Sequence, residues 1–257
     1  MATAISPPRV RPRDRAAILT GLGVVTTVAW LYVVLDASRM SHMPAMDVMM
    51  QARPWTATEF GFRLAMWAAM MVAMMTPTAA PMTLVYAAVA RKASDQGRPL
   101  APAFVFVAGY VAVWALFSVA ATAAQQSLDQ LALLSPTMVS KSPLLGSALL
   151  IAAGVYQLTP VKRACLEHCR APAHFFAQHW RAGFGGAFRM GSRLGAYCLG
   201  CCWVLMGLLF VGGVMSLLWI AAIATFVLLE KIIPFGEVGG RIVGVIMILI
   251  GIVGLAI

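Results

Sequence analysis

The segment that says most about the fold is LAMWAAMMVAMMTPTAAPM, residues 64–82. It carries no charged residue, and the apolar run continues to residue 90, which is long enough to cross a bilayer as a helix. Similar uncharged stretches recur along the 257-residue chain, of which 61% is hydrophobic and only 11% is charged. This composition predicts an all-α fold, a polytopic bundle of transmembrane helices in the lipid bilayer.

Seven apolar segments are candidates for membrane spans, although the fourth and the sixth are shorter than the roughly 20 residues that a crossing needs. They cover residues 16–35, 64–90, 101–124, 144–158, 194–210, 214–229 and 242–257. We therefore expect about seven spans, with six as the alternative if the fourth segment does not cross. Residues 1–15 are then a basic cytoplasmic N-terminal tail, and residues 16–257 are a single integral membrane domain.

The positive charge lies between the predicted spans. The formal net charge is +10, and with seven spans and an inner N-terminus fifteen of the 19 Lys and Arg residues fall inside and four outside. This is the positive-inside pattern of membrane proteins. It predicts a multi-pass protein of the cell inner membrane, with a cytoplasmic N-terminus and a periplasmic C-terminus. It also argues against nucleic acid as a partner.

Methionine is concentrated in the second predicted span. Met66, Met70 and Met74 are four residues apart and share one helix face, while Met71 and Met75 belong to a second stripe. Thioether sulfur is a soft ligand that suits Cu(I), so these five methionines are candidate copper ligands. The alternative is that they only pack, because methionine fills irregular gaps between helices.

Two sequence features predict how the helices pack. Pro77 and Pro81 each lack a backbone N–H, so we expect the second span to be disturbed there. Gly191 and Gly195 match the small-xxx-small pattern of helices that approach each other closely.

A second methionine run lies between the first two spans, in a segment that the predicted topology places outside. It repeats methionine every third residue and adds one histidine: Met40, His42, Met43, Met46 and Met49. Exposed methionines have no core to fill, and a thioether does not form a disulfide in an oxidising compartment. The run predicts a loop that captures a soft metal ion. The alternative is an amphipathic segment at the membrane interface.

Cys165, His168 and Cys169 lie within five residues and would share one face of a helix. Thr159 and Pro160 resemble a helix start, with threonine as the cap and proline in the first turn. Thiols four residues apart suit chelation of one metal, so the three side chains are candidate ligands for copper, with zinc as the other candidate. The alternative is a reduced thiol pair without a ligand.

Cys198, Cys201 and Cys202 form a third group, in the inner half of the fifth predicted span. A helix would place their thiols in an arc of roughly 100 degrees. A single buried cysteine behaves as a small apolar residue, but three on one face indicate a soft-metal site. The Cys-x-x-Cys spacing also permits thiol–disulfide exchange, and packing alone is the third interpretation.

Charged residues close to the spans are few. Glu230 and Lys231 lie at the inner end of the sixth segment, where we expect a local ion pair or an anchor. The chain has no P-loop, no nucleophile triad and no soluble catalytic domain, so we do not expect an enzyme.

Three segments together resemble a bacterial family of predicted metal-binding integral membrane proteins, catalogued as a domain of unknown function. They are Trp67-x-x-Met70-Met71-x-x-Met74-Met75-x-Pro77-x-x-x-Pro81, Tyr156-Gln157-x-Thr159-Pro160-x-Lys162-x-x-Cys165-x-x-x-Cys169 and Gly195-x-Tyr197-Cys198-x-Gly200-Cys201-Cys202-Trp203. The resemblance covers residues 60–235. It implies a membrane location and metal binding, without an established reaction.

We therefore predict an integral membrane protein that binds a soft metal ion, Cu(I), for transport, trafficking or delivery. The partner would be a metal chaperone or a metalloenzyme. The ion would pass between the outer methionine loop, the methionines of the second span and the cysteines. The alternatives are a membrane thiol-disulfide oxidoreductase and a structural or assembly subunit that binds no metal.

Overall fold

The computed structural model describes residues 11–41, 55–97, 99, 101–131, 142–233 and 235–256, with the backbone alone at 40, 41 and 173. Throughout these ranges the regular structure is helical and no strand occurs, which confirms the predicted all-α class. The helices are α1 (Pro12–Ser41), α2 (Ala57–Asp95), α3 (Ala103–Gln130), α4 (Pro143–Leu158), α5 (Pro160–Arg170), α6 (Pro172–His179), α7 (Gly183–Gly207), α8 (Leu209–Gly212), α9 (Leu217–Ile232) and α10 (Gly236–Ala256).

Five helices in the described ranges are long and apolar enough to cross a membrane, and one bent pair adds a sixth. The five are Pro12–Arg39, Ala57–Asp95, Ala103–Gln130, Gly183–Gly212 and Gly236–Ala256, and the pair is Pro143–Leu158 with Pro160–Arg170. The expected number of about seven spans is therefore slightly too high. The sixth apolar segment forms α9, whose 16 residues rise about 24 Å, less than the roughly 30 Å hydrocarbon core.

The longest helix, α2, lies at the centre of the core. It begins with a capping box in which the Thr56 hydroxyl accepts from the Glu59 backbone N–H and the Glu59 carboxylate accepts from the Thr56 N–H. Its methionines face the protein interior rather than its outer surface. The buried ones are Met66, Met70, Met71, Met74, Met75 and Met82.

Pro77 and Pro81 do not break α2, which continues as one helix through both residues. Hydroxyl groups add hydrogen bonds at this level. Thr78 donates to the Met75 carbonyl at 2.9 Å, and the Tyr110 hydroxyl on α3 donates to the same carbonyl at 3.1 Å. Neighbouring helices such as α3 let an apolar helix tolerate proline.

Glycines set the close contact between α3 and α7. A Cβ on Gly109 or Gly191 would overlap backbone atoms of the other helix, and one on Gly195 would lie 3.0 Å from the Tyr110 carbonyl. The predicted role of Gly191 and Gly195 in close helix packing is confirmed. This contact fixes the position of α7, which carries three of the cysteines.

We predict that Gly191→Ala lowers the free energy of unfolding by about 1–3 kcal/mol, the usual cost of overpacking. The added methyl would collide with the Phe106 carbonyl, which a helix backbone cannot move aside. Gly185→Ala in the same helix is the matched control, because its Cβ would meet nothing within 4 Å. Denaturant titration of the detergent-solubilised protein measures both. Equal stability of the two variants would contradict this account of the helix contact.

The helix that carries the first two cysteines starts as predicted. The Thr159 hydroxyl accepts from the Lys162 backbone N–H at 3.3 Å, and Pro160 is the first residue of α5. At this point the chain bends by 64° between α4 and α5. The bend turns α5 back against α7, while α4 packs along α10.

Candidate metal centre

The two cysteine motifs face each other where α5 packs on α7. Cys165 and Cys169 come from α5, and Cys198, Cys201 and Cys202 come from α7. Cys169 of α5 and Cys198 of α7 line the same small cavity. All five cysteines are free. The structure thus joins two groups that the sequence presents as separate, and we refer to these five residues as the thiol cluster.

A glycine permits this close approach. A Cβ on Gly200 would lie 2.8 Å from the sulfur of Cys165, so a larger residue would force the Cys165 side chain to move. The Tyr156 hydroxyl donates to the Gly200 carbonyl and links the end of α4 to the same turn of α7. The bend between α4 and α5 is therefore tied to the thiol cluster.

The three thiols on α7 are buried, and two of them are hydrogen-bonded to their own helix. Cys201 Sγ donates to the Cys198 carbonyl at 3.1 Å, and Cys202 Sγ donates to the same carbonyl at 2.9 Å. A metal ion would replace these thiol protons, because the thiolate is the ligand. Binding would thus exchange weak S–H hydrogen bonds for metal–sulfur bonds.

A partly buried lysine on α9 contacts the thiol cluster. Lys231 Nζ lies 2.7 Å from Cys198 Sγ and donates to the Thr78 hydroxyl at 3.3 Å. The Tyr110 hydroxyl is 2.9 Å from the same sulfur and 3.2 Å from the Thr78 hydroxyl. A cation in an apolar interior is costly without a partner. The Lys231 ammonium would offset the negative charge of a deprotonated Cys198 thiol.

Met82 of α2 also lies beside the thiol cluster. A cavity of about 10 Å³ is lined by Met82, Cys169, Cys198 and Lys231, among other residues. That volume is close to what one water molecule needs. Met82 therefore brings a thioether from α2 to the edge of the thiol cluster, in a space that suits a single small ion.

Glu230, the residue before Lys231, forms a buried ion pair with Lys162. The Glu230 carboxylate accepts from Lys162 Nζ, and both side chains are only 3% exposed. The Gln157 side-chain oxygen accepts from the same ammonium group. Glu230 and Lys231 are thus not partners of each other. One joins α9 to α5, and the other faces the thiols.

The five predicted methionine ligands of the second span lie in the core. Met66, Met70, Met71, Met74 and Met75 are at most 3% exposed. Next to them, Trp67 packs against Phe210 with ring centroids 5.5 Å apart and donates to Gln125 at 2.7 Å. Packing accounts for this burial, and a role as metal ligands stays a prediction.

The outer methionine run cannot be placed relative to these groups. The backbone of Met40 belongs to α1, but its side chain and residues His42, Met43, Met46 and Met49 lie outside the described residues. Their role in metal capture stays a prediction.

His168 does not join the cysteines beside it in sequence. Its ring stacks on Tyr197, with centroids 4.1 Å apart and planes 14° apart. Its Nδ1 lies 2.8 Å from the Ala164 carbonyl. The predicted set of Cys165, His168 and Cys169 is therefore divided between the thiol cluster and a neighbouring aromatic group.

Among the described side chains, no three His, Cys, Asp or Glu residues are already positioned to bind one metal ion. The thiols of Cys201 and Cys202 donate to a backbone carbonyl instead, and that of Cys198 contacts Lys231 and Tyr110. A ligand set would form only when cysteine side chains rotate toward an ion. Such rotations are fast, and soft sulfur donors suit a monovalent ion such as Cu(I).

Sequence reasoning missed part of this arrangement. Tyr110, Thr78 and Lys231 contact Cys198 or one another, and Met82 lines the same cavity. Of these four residues, only Lys231 can be singled out from the sequence, because a lysine at the end of an apolar segment requires a partner. The tyrosine and the threonine look like ordinary span residues in the sequence.

The fold and the cluster together define a class: an all-helical protein of membrane type, with soft sulfur donors collected in its interior. The chain belongs to the copper chaperone family PpoB2, which it matches over residues 64–254. The matched range contains most of α2, both cysteine motifs and Lys231, so the function is copper-related. No curated protein and no solved structure matches the chain.

Proposed function

We propose that this protein is an integral membrane copper chaperone that binds Cu(I) at the thiol cluster and delivers it to a copper-requiring partner. One observation carries the proposal: cysteines from two distant segments converge on one buried point beside Met82 and Lys231. Sulfur donors of this kind select soft metals, and the copper chaperone family supports copper as the cargo.

Charge supports the monovalent ion over a divalent one. Cu(I) held by a pair of thiolates carries a net negative charge, which the adjacent Lys231 ammonium would offset. A divalent ion on the same pair would be neutral and would leave the lysine uncompensated. An unpaired charge in an apolar interior is strongly unfavourable. The position of Lys231 beside the Cys198 sulfur therefore favours Cu(I).

The methionines of α2 provide a route to the cluster. Met82 borders the thiol cavity, and the buried series from Met75 back to Met66 continues along the same helix. Neutral thioethers bind Cu(I) without competing with thiolates for a full charge. We propose that the ion moves by ligand exchange along this series, with the thiol cluster as the strongest site.

The membrane location is part of the proposal. Helices that could span a bilayer occur throughout the described ranges, and the positive charges favour a cytoplasmic N-terminus. A cell inner membrane fits this distribution. A periplasmic C-terminus requires an odd number of spans when the N-terminus is cytoplasmic. The location of the C-terminus and the single integral membrane domain both stay predictions.

Lys231 gives a direct test. We predict that Lys231→Met lowers the affinity for Cu(I) by about 10–100-fold, the usual effect of removing a group that supports metal ligands. Lys231→Arg should retain most of the affinity because it keeps the charge. Competition titration with a chromogenic Cu(I) chelator, under reducing conditions and with the full chain in detergent, measures both.

The matched control for this test is Lys92→Met, which removes an exposed lysine from the last turn of α2. It should leave the affinity for Cu(I) unchanged. If the purified protein takes up no Cu(I), or if the two methionine variants lose affinity equally, the proposed role of the thiol cluster is wrong.

A further inference from the structure

Three of the four histidines in the chain gather on one side of α5 and α6. The ring centroid of His168 lies 6.3 Å from that of His174 and 6.4 Å from that of His179. Tyr197 on α7 stacks under His168 and lies 6.4 Å from His179. The fourth histidine, His42, lies outside the described residues.

Two of these rings are held in the way that metal-binding histidines are usually held. Nδ1 of His168 lies 2.8 Å from the Ala164 carbonyl, and Nδ1 of His179 lies 3.0 Å from the Phe175 carbonyl. When Nδ1–H donates to that carbonyl, Nε2 keeps its lone pair for a metal. Backbone carbonyls commonly fix the tautomer and orientation of metal ligands in this manner.

The third ring supplies the adaptable donor. His174 is exposed, whereas His168 and His179 are partly buried. Two imidazoles that share one ion must approach more closely than they do here, since each metal–nitrogen bond is about 2.0–2.1 Å. Rotation of an exposed side chain is fast, so the His174 ring can move toward the His168 ring without movement of the helices.

We infer that His168, His174 and His179 form an imidazole site for a divalent ion of borderline softness, Cu(II) or Zn(II), separate from the thiol cluster. Imidazole suits these ions, whereas the thiols suit Cu(I). His168 precedes Cys169 in α5, and Cys169 lines the thiol cavity. The imidazole site therefore lies next to that cavity along α5. The idea that copper binds at this imidazole site as it enters or leaves the protein rests on the proposed function. The existence of the site does not depend on it.

Zn(II) is the probe that tests this site, because it does not oxidise the thiols as Cu(II) would. We expect the full-length protein in detergent to bind Zn(II), with imidazole nitrogen in the first shell at the zinc K-edge. His168→Gln/His179→Gln should weaken Zn(II) binding in equilibrium dialysis by at least about tenfold. His174→Gln should also weaken it, and this exposed residue contributes little to folding.

Two further variants separate the possible outcomes. Cys198→Ser/Cys201→Ser should keep the zinc–imidazole signal, and Gln178→Ala, which changes an exposed side chain of α6, should keep it as the matched control. The inference is overturned if zinc has an all-sulfur first shell, if Gln178→Ala removes the binding, or if the variants of the three clustered histidines bind as the parent does. Zinc binding with imidazole and no uptake of Cu(I) would sustain this site while rejecting the thiol proposal.

Discussion

Cys198→Ser/Cys201→Ser is expected to lower the affinity for Cu(I) by more than about 100-fold. The estimate follows because loss of an outer-shell partner alone costs about 10–100-fold, and these changes remove ligands themselves. Serine keeps the size of cysteine but offers a hard oxygen, which a soft monovalent ion disfavours. Competition titration with a Cu(I) chelator under reducing conditions measures the effect.

The control removes a sulfur atom elsewhere in the same protein. Met247 lies on α10, partly buried and away from the thiol cavity. Met247→Leu should bind Cu(I) as the parent does. If the double serine variant binds as tightly as Met247→Leu, then copper is held somewhere other than at the thiols of α7.

Lys162→Met is expected to lower the free energy of unfolding by about 3–5 kcal/mol, because it leaves the Glu230 carboxylate buried without its cation. The pair joins α5 to α9, and the Gln157 side chain shares the same ammonium group. Lys162→Met/Glu230→Leu should recover most of the loss, since apolar side chains suit that site. Denaturant titration in detergent measures the three proteins.

An exposed ion pair nearby provides the comparison. Arg163 contacts Glu237 at 2.7 Å, but the two side chains are 45% and 35% exposed. Glu237 also keeps Arg241 as a partner at 2.6 Å. Arg163→Met should therefore cost less than about 1 kcal/mol. Equal losses for Lys162→Met and Arg163→Met would mean that the buried pair has no special role in stability.

The helical class and several local features follow from the sequence alone. Uncharged apolar runs predict helices of membrane length, and the Thr159–Pro160 start of α5 is confirmed. Both features depend only on residues that are close in sequence. One needs an apolar run of sufficient length, and the other needs a side chain that accepts from a backbone N–H at the helix start. The number of spans is less secure, because a segment such as α9 is apolar throughout yet only 16 residues long.

The thiol cluster could not be predicted in the same way. Its formation depends on the 64° bend between α4 and α5, which returns Cys165 and Cys169 to the surface of α7. A bend angle and a helix partner are tertiary properties with no local sequence signal. Gly200 looks like any small residue in a span until the sulfur of Cys165 is seen against it.

The prolines of α2 illustrate the opposite error. Proline usually breaks a helix, yet α2 continues through Pro77 and Pro81. At this level α2 is buried among other helices, and such neighbours let an apolar helix tolerate proline. A local rule fails here because tertiary packing is not visible in the local sequence.

The most direct measurement is X-ray absorption at the copper K-edge, on the full chain loaded with one equivalent of Cu(I) under reducing conditions. We predict a first shell of sulfur atoms that is unchanged in His168→Gln/His179→Gln and lost in Cys198→Ser/Cys201→Ser. A first shell of nitrogen or oxygen, or a sulfur shell that survives the double serine change, would contradict the assignment of copper to the thiol cluster.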